Sequence, residues 1–201
     1  MLAVHSNGFD AMRQLIILGL LGLSLAFLAS TARAKGSPLA SRADVDLERY
    51  MGRWWVIAHT PYFAENGKVA TADFYALRPD GQIQNTYVYR KEFGAPEKQM
   101  NGVARIVPGT KNAQWRIKFF GGLLRADYLI REVAPDYSWA LIGQPSRKLA
   151  WVFSREQRMD DTQLAALLKK FPDYGYDPAK LQRVPQFPDE VLPIATDQLR
   201  S

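Results

Sequence analysis

The chain has 201 residues, 47% of them hydrophobic, with 26 basic against 20 acidic side chains and a formal charge of +6, which is enough for one domain with its own core. It contains no cysteine, and this excludes disulfides, thiolate metal sites and a cysteine nucleophile together. No block of five like charges occurs, which argues against nucleic-acid binding.

Met12-Arg13-Gln14 makes a short positive start, Leu15 to Leu28 is an apolar run, and Ala32-Arg33-Ala34 fits a small-residue cleavage site. Residues 1–34 are expected to be a secretory signal peptide, too short and wrongly flanked for a stable membrane span. An uncleaved anchor is the alternative. Asp10 suits a positive leader poorly, so Met12 competes with Met1 as initiator. A lipid anchor would need a cysteine after the apolar run. The expected location is therefore the periplasm or the secreted medium after cleavage near Ala34, without lipidation. Residues 35–43 are expected to be a flexible lead-in.

Gly52-Arg53-Trp54-Trp55-Val56-Ile57-Ala58 opens the first predicted strand, about 53–61, behind a short acidic-headed turn. Trp54 shares its parity with Val56 and Ala58. The second predicted strand, 69–78, ends at Pro79-Asp80-Gly81, where proline presets one dihedral and glycine accepts a positive one. The next strands fall at about 82–91 and 98–107. Trp115, Ile117 and Phe119 then alternate with Arg116 and Lys118, the clearest two-residue period in the chain. Further strands are expected at 124–133, 137–143 and 149–155. Short strands with turn signals every ten residues or so indicate an all-β fold. Eight of them joined by hairpins fit an antiparallel up-and-down barrel, with a sandwich as the alternative. In the second, third and sixth strands both registers mix polar and apolar residues, so the inward parity stays open there.

One C-terminal α-helix follows, expected to pack on the barrel wall. Asp160 and Gln163 give a capping signal, Leu164, Leu167, Leu168 and Phe171 form one apolar stripe, and Pro172 stops it. Barrel plus helix are expected over residues 44–184, and residues 185–201 are expected to be a loose tail.

Three of these motifs together resemble the lipocalin family. Gly52-Arg53-Trp54 resembles its Gly-x-Trp motif. Pro135-Asp136-Tyr137 resembles its Thr-Asp-Tyr turn, with proline in place of threonine. Trp151 to Arg155 resembles its third motif, which ends on an arginine. The resemblance is nearest to the bacterial lipocalin branch that is similar to apolipoprotein D. It implies a barrel closed at the end where Gly52, Trp54, Asp136, Tyr137 and Arg155 meet, with Arg155 laid across the Trp54 indole. The other end would be an open mouth.

The resemblance implies binding and transport or storage of a small hydrophobic ligand: a fatty acid, a lysophospholipid or a similar lipid, in envelope lipid maintenance. Candidate lining residues are Val56, Tyr75, Tyr87, Ile106, Trp115, Ile117, Phe119, Tyr128, Ile130, Leu141 and Trp151. Burying about 12 methylenes at about 0.8 kcal/mol each offsets association costs and leaves micromolar binding. A barrel simply filled by its own rings is the competing reading, because each buried aromatic removes about 150–250 Å² from water. Asp73 is either a polar ligand anchor or an exposed strand residue. An enzyme acting on a lipid or ester would have to recruit His59, the one histidine downstream of the leader. No metal motif or cofactor motif is present, so none is expected. The apolar Tyr62-Phe63, Phe93 and Phe119 to Leu124 segments make the mouth a candidate for transient membrane contact, with Arg125, Arg147 and Lys148 as candidates for an anionic head group. Monomer and homodimer both remain open.

Overall fold

The computed structural model describes residues 43–190. The expected signal peptide, nearly all of the lead-in, and residues 191–201 lie outside the described residues. A short helix α1 (Leu47–Tyr50) precedes the barrel, capped by the Asp46 carboxylate, which accepts from the Arg49 amide. The strands are β1 (Gly52–His59), β2 (Val69–Leu77), β3 (Ile83–Arg90), β4 (Lys98–Ile106), β5 (Gln114–Phe119), β6 (Leu124–Val133), β7 (Trp139–Gly143) and β8 (Ala150–Ser154). Each pairs antiparallel with the next, and β1 pairs with both β8 and β2 to close the barrel. The expected all-β barrel, with its single following helix, is present.

Closure is uneven along β1. Its first half pairs with β2, from Gly52 opposite Tyr75 to Trp55 opposite Ala72. Its second half pairs with β8, with an irregularity between Val56 and Ala58. Where β1 leaves β2, a two-residue strand β9 (Gln182–Arg183) takes the vacated edge. The chain beyond it stitches the seam. The Val184 amide donates to the Ile57 carbonyl, the Ala70 amide donates to the Pro185 carbonyl, and Gln186 Nε2 donates to the carbonyls of Val56 and Thr71. Residues 185 and 186 are therefore part of the closed wall rather than a loose tail. Backbone groups that a gapped barrel would strand in an apolar interior find partners here.

The irregularity also corrects a reading of parity. An extra residue in a strand reverses the side-chain alternation beyond it. Val56 faces the interior, but Ala58 packs on the outer side and buried His59 turns inward.

The outer cover is α2 (Asp161–Leu168), capped by Asp160, which accepts from the Gln163 amide. Leu164, Leu167 and Phe171 lie against Ile57, Leu141, Ala150 and Val152. Leu168 is only partly buried. Pro172 does not end the structure abruptly; it sits in a 3₁₀ turn over Phe171–Tyr174, a position where its missing N–H costs little.

Candidate functional site

The two ends of the barrel differ in content. At the closed end Trp54 is fully buried, and its Nε1 donates to the Tyr50 carbonyl at 2.8 Å. The Arg155 guanidinium lies 3.7 Å from the indole centroid. Its NH1 donates to the Arg53 carbonyl and its NH2 to the carbonyls of Arg49 and Met51, at 2.7–2.9 Å. Gly52 has φ +94°, and a Cβ there would stand 3.3 Å from that guanidinium, so both backbone and space call for glycine. The Tyr137 hydroxyl accepts from the Asp46 amide, while Asp136 accepts from Ser138 and closes its own turn.

Above this plug lies a floor of rings. Tyr50, Tyr75, Trp115 and Tyr128 sit with centroids 5.0–5.9 Å apart. Tyr50 and Tyr128 share a hydroxyl–hydroxyl bond of 2.6 Å. Burial pushes the hydroxyl pKa values of Tyr50, Tyr75 and Tyr128 upward, so this layer is neutral.

Between the floor and the mouth is a cavity of about 210 Å³. Its walls include Tyr75, Tyr87, Met100, Ile117, Phe119, Ala126, Tyr128, Leu149, Trp151 and Phe153. Phe119 reaches this position because β4 carries Gly102 beside it; a Cβ at Gly102 would meet the Phe119 ring at 2.7 Å. Two carboxylates line the same space. Glu65, from the β1–β2 connection, is buried and held by three groups: His59 Nδ1 at 2.8 Å, Trp151 Nε1 at 2.9 Å and the Tyr62 hydroxyl at 2.8 Å. Asp73 sits on β2 with Asn85 Nδ2 donating to its Oδ1 at 2.7 Å. Burial, opposed by the Asn85 hydrogen bond and reinforced by the charge of Glu65, pushes Asp73 up to about 7. Arg125 and Asp127 border the cavity at its exposed side, with Asp127 facing Arg116 across the barrel's outer surface at 4.0 Å.

Six of the eleven residues expected to line a ligand site border this cavity: Tyr75, Tyr87, Ile117, Phe119, Tyr128 and Trp151. Val56, Ile106, Trp115 and Ile130 belong to the interior cluster but lie outside the cavity wall. Leu141 is a correction: it is fully buried under α2, on the outer face of β7. Both faces of β7 and β8 are covered, one by the interior and one by the helix. Hydrophobicity along them therefore does not tell in from out. Four contributors escaped the sequence reading. Tyr50 sits in a four-residue helix rather than on a strand, and Glu65 comes from a loop. Asn85 is polar on an inward row. Met100 stands on a strand of weak alternation. The one usable signal was Asp73, read as either a ligand anchor or an exposed strand residue; its neighbour across the ladder, Tyr87, lies two residues from Asn85.

Comparisons with known proteins agree with this architecture. The family model described as lipocalin-like domain matches residues 45–186. Temperature-induced lipocalin-1 of Arabidopsis thaliana is 34% identical over 151 residues, covering 71% of this chain and 80% of that protein. The outer membrane lipoprotein Blc of Vibrio cholerae is 26% identical over 145 residues, covering 72% and 84%. Among solved structures, the cockroach allergen Per a 4 superposes with a TM-score of 0.56 at 21% identity, covering 74% of this chain and 92% of that one. The motifs at the closed end, the closed eight-strand barrel and a family match across nearly the whole described region leave one conclusion: the chain belongs to the lipocalin family.

Proposed function

We propose that the barrel binds a small hydrophobic ligand in the cavity above the ring floor and carries or stores it without catalysis. The carrying observation is the space of about 210 Å³ between aromatic and aliphatic walls, open toward the mouth and lying over a floor that is already filled. It lies below the common range of about 300–1,000 Å³ for ligand pockets. A long acyl chain must therefore project past the mouth. A lipid would thus keep its head outside near Arg125, whereas a smaller apolar molecule enters whole and brings its polar group inside. An ionised carboxylate head placed inward would meet Asp73 and Glu65, an arrangement like charges disfavour. His59 Nδ1 is engaged with Glu65, which ties the β1–β2 connection to the wall. The leader-like N-terminal sequence supports action in the periplasm or outside the cell, in envelope lipid maintenance.

Native mass spectrometry of the full chain from its host tests the reading directly, with Trp151 fluorescence titrated by a medium-chain alcohol alongside. A co-purified small molecule, or saturable quenching, is the expected result. A bare mass together with an unresponsive Trp151 would sink the carrier reading and leave a self-filled barrel.

A further inference from the structure

We propose that the cavity prefers a protonated primary amine carried on a small apolar body, its ammonium placed against Asp73 and the Tyr87 hydroxyl. This rests on the reading that the cavity is a ligand site, and it names the head group such a ligand carries.

Asp73 has Asn85 as its hydrogen-bond partner, on one oxygen, and no ion-pair partner among the described residues. A carboxylate offers about four acceptor positions, so most of its capacity is unspent. Glu65 is different: three donors already hold it, so it offers at most about one further position while adding negative potential. The second observation is independent of the acids. Tyr87 is 3% exposed and borders the cavity, yet its hydroxyl makes no well-formed hydrogen bond, although Thr71 stands nearby. An orphaned buried hydroxyl is costly and marks a place where a partner belongs.

An ammonium group carries donors and no acceptor, the complement of a carboxylate and a phenol oxygen. Tyr75, Tyr87 and Tyr128 border the same cavity, and aromatic walls favour a cation over a neutral head. An alcohol satisfies only one of these acceptors and leaves the charge unpaired, which a low-dielectric site penalises. A carboxylate is repelled by both acids. The cations at hand do not fill the place. Arg125 is exposed at the mouth with its Nε toward the Gly122 carbonyl, and Lys68 Nζ lies over the rings of Tyr89 and Tyr87, 3.5 and 5.2 Å from their centroids, without forming an ion pair with Asp73. Small size fits as well, since the cavity holds about 210 Å³. The groups facing Asp73 are Glu65 and Tyr62 from the β1–β2 connection, Tyr50 from α1, Tyr75 from its own strand and Tyr87 from β3. The hydroxyls of these tyrosines are all raised. Among these neighbours, then, Glu65 is the charged one, and its charge is negative.

The test is calorimetric titration of the full chain with octylamine, octan-1-ol and octanoate, at about one pH unit above the Asp73 value of about 7. Octylamine is expected to bind at least about tenfold tighter than octanol, a step of about 1.4 kcal/mol, with octanoate weakest. In Asp73→Asn the amine-to-alcohol ratio falls to about one, and in Tyr87→Phe it falls severalfold; thermal unfolding confirms that both variants are folded. The amine advantage also shrinks as pH drops below about 7. Equal binding of amine and alcohol to the unmodified protein overturns the amine preference while leaving an apolar carrier intact. Strongest binding by octanoate overturns it too and moves head-group recognition to the mouth. No binding by any of the three removes the carrier reading along with it.

Discussion

The closed end and the open end of this barrel are built from similar residues to opposite effect. At the closed end the polar groups of the stopper have partners: the Trp54 and Trp115 indoles each donate to a backbone carbonyl, two tyrosines share a bond, and Arg155 satisfies three carbonyls. Aromatics and a cation together form a stopper. Above the floor the same residue types leave space, two acids share one field, and a tyrosine hydroxyl lacks a good partner. Side-chain satisfaction, more than hydrophobicity, separates a structural core from a site.

The sharpest way to test this division is to break the stopper. Trp54→Ala removes a fully buried indole and its hydrogen bond and is expected to cost about 3–5 kcal/mol in urea unfolding. Ligand affinity of the molecules that remain folded should change little; a large affinity loss at unchanged stability would merge the two regions. Arg155→Met comes next. It keeps the stem but removes the indole contact and the donors to three carbonyls, an expected loss of about 2–3 kcal/mol. Arg155→Lys should recover only part of this, because a point charge cannot reach three acceptors as a planar fork does. Full recovery by lysine would reduce Arg155 to a charge.

How much of this division was readable beforehand follows the same line. Gly52, Trp54 and Arg155 announced the stopper through their resemblance to lipocalin motifs, and the structure shows why those residue types stand there: a positive φ, a buried indole and a forked cation. The β5 row of Trp115, Ile117 and Phe119 was readable because one face of that strand is solvated. The upper wall was not. The irregularity in β1 turns His59 inward against the parity of Trp54 and Val56. The doubly covered strands β7 and β8 hid the outward direction of Leu141. Glu65 enters the barrel from a loop, which no periodicity describes. The seam formed by residues 182–186 depends on β1 parting from β2, a consequence of closing the whole sheet.

The third test works in the other direction, because a site group should cost stability. The ordinary aspartate value is 3.8, and burial lifts Asp73 to about 7. Between these values the folded chain keeps a proton that the unfolded chain has released. The stability tied to this group is therefore complete below about 3.8 and is lost as pH rises through about 7. Asp73→Asn removes the ionisation and can still accept from Asn85. It is expected to stabilise the protein by about 1–3 kcal/mol above neutral pH, after allowance for water in the cavity, and by little in acid. Unfolding midpoints measured across this window decide it. A variant that loses stability at high pH would make Asp73 part of the closed end's kind of core.

The smallest expected effect lies at the rim. Phe120 has φ +50° and is 65% exposed, next to Leu123 at 90%, while Phe63 from the β1–β2 connection is 88% exposed. A bulky side chain in the left-handed region costs about 1 kcal/mol or more, and among the described residues the ring is left mostly uncovered. We propose that these three apolar side chains, on two connections at the open end of the barrel, touch lipid, and that the basic Arg125, Arg147 and Lys148 favour an anionic one. Phe120→Gly relieves the strain and removes the ring. The expected outcome is a gain of up to about 1 kcal/mol in unfolding free energy. Sedimentation with phosphatidylglycerol-containing vesicles should fall severalfold in the same variant, with phosphatidylcholine vesicles bound weakly throughout. If Phe120→Gly is stabilised yet binds vesicles unchanged, the strained ring serves the loop alone. If it is destabilised, Phe120 is packed in solution and belongs with the satisfied end of the molecule.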